Sequence, residues 1–226
     1  MVIGSNPIKC KFQLKLMLYF ENLLVYILVF PIFGILLLLC IPSSKEKLLK
    51  IVALNSACLS FIGSLLLWGF FQKSTGSFQF AVKFFWLPNL NLNFSLGVDG
   101  ISLFFVLLTT LLIPLCLLTS WNSVNVNLKE FLIAFLFLDF LLIGTFCILD
   151  LLLFYIFFES VLIPMFLIIG VWGSRERKIL ASYYFFLYTF LGSVMMLLSI
   201  LYMGAVSLLY SKILLKKLGL IICSLS

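Results

Sequence analysis

The stretch LLLFYIFFESVLIPMFLIIGVWGS (151–174) decides the fold, because as a helix it is long enough to cross a bilayer. Its only charged side chain, Glu159, lies near the midpoint of a span drawn over 150–172. An acidic side chain at that depth costs roughly 3 kcal/mol by insertion scales, and such residues usually face a bundle interior or a wet cavity. The stretch therefore predicts a transmembrane helix whose acid has a function.

Composition places the rest of the chain in a membrane as well. Of 226 residues, 64% are hydrophobic and 10% are charged, and the apolar residues run in blocks of about twenty rather than in short stripes. The 15 basic residues outnumber the 8 acidic ones and cluster between the apolar blocks. That distribution is typical of a multi-pass protein surrounded by lipids, and it argues against a nucleic-acid partner.

The apolar blocks predict an all-α membrane protein with about six transmembrane helices. The predicted spans are 17–41, 48–71, 99–120, 131–149, 150–172 and 179–205. In the long loop between the second and third spans, apolar and polar residues alternate over 78–80 and again over 90–94. This alternation predicts a small β-hairpin on the membrane surface.

A second acid, Asp139, lies near the midpoint of the fourth span. Only Leu149 and Asp150 separate that span from the fifth, so the two helices are predicted to be antiparallel neighbours with Asp139 and Glu159 near the membrane centre. One interpretation of each acid is functional. The other is structural, with the acid protonated and hydrogen-bonded to a neighbouring helix.

The residues around Glu159 favour the functional interpretation. Pro164 has no N–H and leaves the carbonyl of Ser160 free to bind water or a partner. Tyr155 lies one turn earlier on the same helical face. The sixth span carries a polar stripe at helical spacing, which either lines the same crevice or packs as interfacial aromatics. The stripe consists of Tyr184, Tyr188, Gly192 and Ser199.

The metal-ligating and redox-active residue types are scarce. There is no histidine, and the six cysteines form no CxxC pair. The sequence therefore predicts no metal site, no cofactor and no redox centre in this chain.

Four segments resemble one family, mitochondrial NADH dehydrogenase subunit 4, an antiporter-like subunit of respiratory complex I. The segments are WLPNLNLNFSLGVDGIS (86–102), GVDGISLFFVLLTTLLIPLCLL (97–118), DLLLFYIFFESVLIPMFLIIGVWGSRERK (150–178) and YYFFLYTFLGSVMMLLSILY (183–202). The resemblance covers about 78–205 and includes FYIFFESVLIPMF, the most specific of its motifs.

The resemblance implies a membrane-arm subunit, or the N-terminal fragment of a split subunit, of proton-pumping NADH:ubiquinone oxidoreductase in the mitochondrial inner membrane. Glu159 matches the family's fifth-helix glutamate, which pairs with a lysine of the seventh helix and modulates its proton affinity during pumping. Asp139 is retained as a second candidate for proton translocation. Flavin and iron–sulfur clusters are expected in other subunits of the complex.

The chain also departs from the family, whose members have about fourteen helices and carry their lysines beyond the sixth. A truncated antiporter-like fold is therefore expected, with the remaining helices supplied by a separate chain and with other membrane-arm subunits as further partners. The predicted divisions are a basic N-terminal tail (1–16), two helices with the hairpin (17–98), four helices that start the antiporter-like repeat (99–205) and a basic amphipathic tail (206–226).

Two alternatives stay open beside this interpretation. In one, the chain is a shortened scaffold subunit of the same complex that takes no part in pumping. In the other, it is a subunit of a related cation/proton antiporter.

Overall fold

The computed structural model describes residues 22–72, 77–87, 92–124 and 126–224, and the side chains of 84–87, 92–93 and 207–224 are outside this description. The predicted N-terminal tail, 1–16, lies outside it as well. The helices are α1 (Leu23–Cys40), α2 (Glu46–Phe70), α3 (Gly100–Thr119), α4 (Leu128–Cys147), α5 (Leu151–Trp172) and α6 (Lys178–Ser224). The strands are β1 (Gln79–Leu87) and β2 (Leu92–Val98).

All six described helices are long and apolar enough to cross a membrane. The prediction of an all-α membrane protein with six spans and a small hairpin is therefore confirmed. For α6 the candidate span is Lys178–Val206. The backbone continues as the same helix to Ser224, so no break in secondary structure separates the predicted tail from the sixth span.

The central helix of the bundle is α4. It packs against α1, α2, α3 and α5, and 61% of its span is buried. By contrast, α6 packs mainly against α5, and only 11% of its span is buried. The side chains of α4 therefore lie in the protein interior, whereas most of α6 faces outward.

The hairpin is longer than its alternation predicted. Its two strands pair antiparallel, with irregular register near both ends of β1. Beyond the pairing of β1 with β2, Leu149 N donates to Ser95 O at 2.9 Å, and Leu96 forms an isolated bridge with Ile148. The hairpin thus attaches to the connection between α4 and α5.

This attachment corrects the predicted boundaries of the fourth span. The helix ends at Cys147 rather than 149, because Ile148 and Leu149 bind β2 instead of continuing the helix. It begins at Leu128 rather than 131. Asp150, which was placed inside the fifth span, is its N-cap: its carboxylate accepts from the N–H groups of Leu152 and Leu153.

Lysines at the starts of α2, α4 and α6 bind carbonyl groups at the ends of other helices. Lys129 Nζ donates to the carbonyls of Leu39 (3.1 Å) and Ile41 (2.9 Å) at the end of α1. Lys178 does the same for Val171 in the last turn of α5, and Lys50 donates to the carbonyl of Trp121, two residues beyond the end of α3. These cations satisfy free carbonyls and complement the helix dipoles, so they are parts of the fold.

Glycine allows α1 and α2 to approach closely. A Cβ atom added at Gly34 would lie 2.6 Å from Ser56 Cβ, and one added at Gly63 would lie 2.8 Å from Ile27 Cγ1. Small residues let the backbones of membrane helices come together in this way.

We expect Gly34→Ala to destabilise the protein, because either α1 or α2 must move to accommodate the new methyl group. Overpacking of this kind costs about 1–3 kcal/mol. The measurement is the midpoint of thermal unfolding in detergent. Gly69→Ala is the matched control, since no atom lies within 4 Å of its added Cβ. Equal midpoints for the two variants would contradict the prediction.

Candidate functional site

Asp139 is completely buried between α4 and α2. Its side chain is 0% exposed. Oδ2 accepts a hydrogen bond from Ser60 Oγ at 3.0 Å, whereas Oδ1 is buried without a partner. The acid predicted near the membrane centre therefore points at a neighbouring helix rather than at an open cavity.

Ser60 belongs to a buried serine stripe on α2 that the sequence analysis missed. The stripe consists of Ser56, Ser60 and Ser64, one helical turn apart. Ser56 Oγ donates to Phe30 O of α1 at 3.0 Å, and Ser64 Oγ lies 2.8 Å from Thr110 Oγ1 of α3. Through the stripe, α2 forms polar contacts with α1, α3 and α4. The four-residue spacing of these serines is the signal that could have revealed it.

The Ser60 hydroxyl has two acceptors within reach. Its Oγ lies 2.8 Å from Ala57 O and 3.0 Å from Asp139 Oδ2, but a hydroxyl has a single proton to donate. A protonated Asp139 resolves the conflict, since it can donate to Ser60 Oγ while Ser60 donates to Ala57 O. This arrangement favours the structural interpretation of Asp139.

Glu159 lies on the side of α5 that faces away from α4. The α4-facing side carries Phe157, whose ring centroid is 5.6 Å from that of Phe140, and Val161, which packs on a cluster that includes residues of α4. Glu159 is two residues from each and therefore about 200° around the helix. It shares its face with Phe166, which contacts α6.

The two acids consequently lie at similar depth but on different sides of the bundle. Asp139 is eight residues before the end of α4, and Glu159 is eight residues after the start of α5. Each is thus about 12 Å from the connection between the helices. The structure does not bring the two carboxylates together, because one faces α2 and the other faces α6.

Glu159 has an incompletely satisfied carboxylate. The residue is partly buried, and its Oε2 has no hydrogen-bond partner among the residues that the structure describes. In the described parts of the spans, lysine and arginine occur only toward helix ends, so none of these cations lies at the level of Glu159. An acid in the middle of an apolar span is costly, and such residues usually face a bundle interior or a wet cavity.

The other residues predicted to line a crevice with Glu159 are Tyr155 and the polar stripe on α6. Tyr155 is partly buried on the same helix. Tyr184 and Tyr188 are 54% and 75% exposed and pack on each other, with ring centroids 6.4 Å apart. The stripe on α6, which also includes Gly192 and Ser199, lies on the exposed side of that helix. Within this chain it does not line a crevice with Glu159.

The hydroxyl of Ser160 is also bound locally. Ser160 Oγ donates to Ile156 O at 2.7 Å, and Pro164 lies inside the continuous helix α5. The proline therefore does not end the helix. It removes one backbone N–H, so the carbonyl group of Ser160 has no intrahelical donor there.

The described residues form a bundle of six candidate spans with a partly buried acid in the middle of α5, and part of this bundle matches an antiporter-like family. A sequence model of one family, described as the NADH:quinone oxidoreductase/Mrp antiporter transmembrane region, matches residues 149–219. The match includes Glu159. It also extends past position 205, where the resemblance was predicted to end, so that limit was wrong.

The particular relatives are named NADH-ubiquinone oxidoreductase chain 4. The protein of that name from Chondrus crispus is 61% identical over 171 residues, which are 76% of this chain and 35% of the relative. The protein from Arabidopsis thaliana is 58% identical over 171 residues, 76% of this chain and 34% of the relative. The resemblance to this subunit is thereby confirmed, and the chain spans about a third of the length of these relatives.

A solved structure has a fold similar to that of this chain. A chain in the structure of respiratory complex I from Thermus thermophilus with bound NADH superimposes with a TM-score of 0.65 and 31% identity. The superposition covers 79% of this chain and 35% of that chain. The antiporter-like fold is therefore shared with a chain of complex I.

Proposed function

We propose that this chain is a membrane-arm subunit, or the N-terminal fragment of a split subunit, of proton-pumping NADH:ubiquinone oxidoreductase in the mitochondrial inner membrane. Glu159 is the residue that contributes to proton translocation. Flavin and iron–sulfur clusters reside in other subunits, and this chain acts on protons alone. The relatives named NADH-ubiquinone oxidoreductase chain 4 support the assignment.

The observation that carries the proposal is the buried carboxylate oxygen of Glu159 on the face of α5 toward α6, which has no hydrogen-bond partner among the described residues. A carboxylate at this depth is costly unless it exchanges a proton or pairs with a cation. An opposite charge within about 6 Å stabilises the charged acid, so forming and breaking such a pair moves a proton. The cation would be contributed by a segment beyond the described residues, and a separate chain with the remaining helices is its proposed source.

Two alternatives remain in competition with this function. A shortened scaffold subunit would use the same bundle without any need for Glu159. A cation/proton antiporter subunit is compatible with the family description, which covers both kinds of protein. The named relatives favour the oxidoreductase over the antiporter, because the identity to them reaches 61%.

Isolation of the native assembly tests the proposal. We expect an affinity tag on this chain to co-purify rotenone-sensitive NADH:ubiquinone oxidoreductase activity from mitochondria. We also expect a second polypeptide with the remaining antiporter helices, and a cysteine at position 159 should cross-link to it. A tag that recovers no such activity would refute membership in the complex. A complex without a second polypeptide beside α5 and α6 would refute the split subunit.

A further inference from the structure

The contact between α5 and α6 has a well-defined register. A Cβ atom added at Gly170 would lie 3.2 Å from Ser182 Oγ. One turn away, the Phe166 ring stands edge-on to the rings of Tyr183 (5.5 Å between centroids) and Phe186 (5.7 Å). These contacts define an antiparallel pair in which Gly170 lies opposite Ser182.

Glu159 on α5 and Ser193 on α6 lie at the same distance from this contact along their helices. Glu159 is eleven residues before Gly170, and Ser193 is eleven residues after Ser182. Eleven residues make about three turns, so each helix returns to the same face about 16 Å further along. Ser193 is therefore at the level of Glu159 on the facing side of α6.

The burial of α6 agrees with this register. Ser182, Ser193 and Ile200 are 1%, 3% and 9% exposed, although the helix as a whole faces outward. Since α6 packs mainly on α5, and Ser182 lies against Gly170 of α5, we infer that the same helix covers Ser193 and Ile200. At the level of Ser193, the covering surface is the turn that carries Glu159.

Both groups have unused hydrogen-bonding capacity. Glu159 Oε2 is buried without a partner. Ser193 Oγ donates to Phe190 O at 2.8 Å and keeps its lone pairs free in that arrangement. A serine hydroxyl can rotate about its C–O bond, so it can accept from a protonated acid or donate to a charged one.

We propose that Ser193 is a positioning residue for Glu159, an inference that rests on the proposed role of that acid. In the conformation of this structure the two side chains form no hydrogen bond, so the proposed contact forms when the Glu159 side chain turns toward α6. When Glu159 is then protonated, its O–H donates to Ser193 Oγ, and the serine donates to Phe190 O. When Glu159 is charged, the serine hydroxyl rotates and donates to the carboxylate. Hydrogen bonds to charged groups are stronger than those between neutral groups, so Ser193 favours the charged form.

No charged side chain among the described residues of α4 or α6 faces Glu159. Tyr155 is the nearest titratable group on the same helix, and Asp139 of α4 faces α2. Between Ile179 and Val206, α6 carries no charged side chain. Its tyrosines in that range are all more than half exposed: Tyr183, Tyr184, Tyr188 and Tyr202.

The test is Ser193→Ala in the assembled complex, with proton translocation measured in sealed vesicles as a function of pH. We expect the midpoint of the pH profile to move up by about one unit, which corresponds to the loss of one hydrogen bond to a charged group. Ser193→Thr keeps the hydroxyl and should restore the original midpoint. Ser199→Ala is the matched control, because its hydroxyl also donates to a helical carbonyl, Met195 O at 3.0 Å, but is exposed.

Several outcomes would overturn the inference. An unchanged midpoint in Ser193→Ala would do so, as would equal shifts in Ser193→Ala and Ser193→Thr. If Ser193→Ala fails to assemble, Ser193→Cys replaces it, and its weak S–H donor should give a smaller shift in the same direction. If Glu159→Gln leaves translocation intact, the proposed function itself fails. If Glu159→Gln abolishes translocation and the serine variants keep the original midpoint, only this inference fails.

Discussion

Replacement of Glu159 by glutamine is expected to lower the number of protons translocated per NADH oxidised, while the complex still assembles. Glutamine has nearly the same shape but can neither carry a charge nor release a proton. Positioned acid–base groups typically contribute factors of about 10²–10⁴ to the steps they serve, so we expect at least about a tenfold loss in the rate of the dependent step. Proton uptake and NADH oxidation are measured together in sealed vesicles, and the number of protons translocated per NADH oxidised is calculated from them.

Two matched variants make the result specific to Glu159. Glu159→Asp keeps the carboxyl group and should retain part of the activity. Glu176→Gln removes an exposed acid from the loop between α5 and α6 and should behave as wild type. If Glu159→Gln pumps normally, the scaffold alternative is preferred, because the acid would then be dispensable.

The second large effect is expected at the Asp139–Ser60 contact. Ser60→Ala removes the hydrogen-bond partner that the described residues provide for a fully buried acid. An unsatisfied buried polar group costs about 1–3 kcal/mol, so the midpoint of thermal unfolding should fall clearly. Asp139→Asn should be close to wild type, because a neutral amide can replace a protonated carboxyl group opposite Ser60.

A double-mutant cycle separates this contact from general effects of substitution. Ser60→Ala combined with Asp139→Leu removes both partners and should be less destabilised than Ser60→Ala alone. Thr119→Ala is the control, since it loses only an exposed bond to a helical carbonyl. A strong loss of stability in Asp139→Asn would show that the acid is charged and that the neutral contact is wrong.

The membrane-spanning architecture was predictable from sequence because burial in lipid requires long apolar helices. The positions of α3 and α5 agree with the predicted spans to within a residue. The end of α4 could not be predicted from the hydropathy of the sequence. Leu149 is as apolar as its helical neighbours, but its N–H binds Ser95 of the hairpin. That is a contact between segments far apart in the chain, which local hydropathy does not record.

The residues of the candidate site were also only partly predictable from sequence. Residue counting along apolar blocks found Glu159 and Asp139 and placed both near the membrane centre. It missed Ser193, because a lone serine in an apolar helix resembles many others that merely bond to their own backbone, and it overlooked the four-residue spacing that links Ser60 to Ser56 and Ser64. The contact of Ser60 with Asp139 and the role proposed for Ser193 both depend on what lies opposite these serines in the bundle.

The sequence by itself determined that this chain spans a membrane about six times and that two acids lie at middle depth, since depth follows from the number of residues at about 1.5 Å each. Only the tertiary structure decided the direction in which each acid points. That direction depends on which helices pack together, and α4 has neighbours on several sides whereas α6 packs mainly on α5. Asp139 is consequently enclosed against α2, and Glu159 is left on the face of α5 toward α6, with one carboxylate oxygen still without a partner.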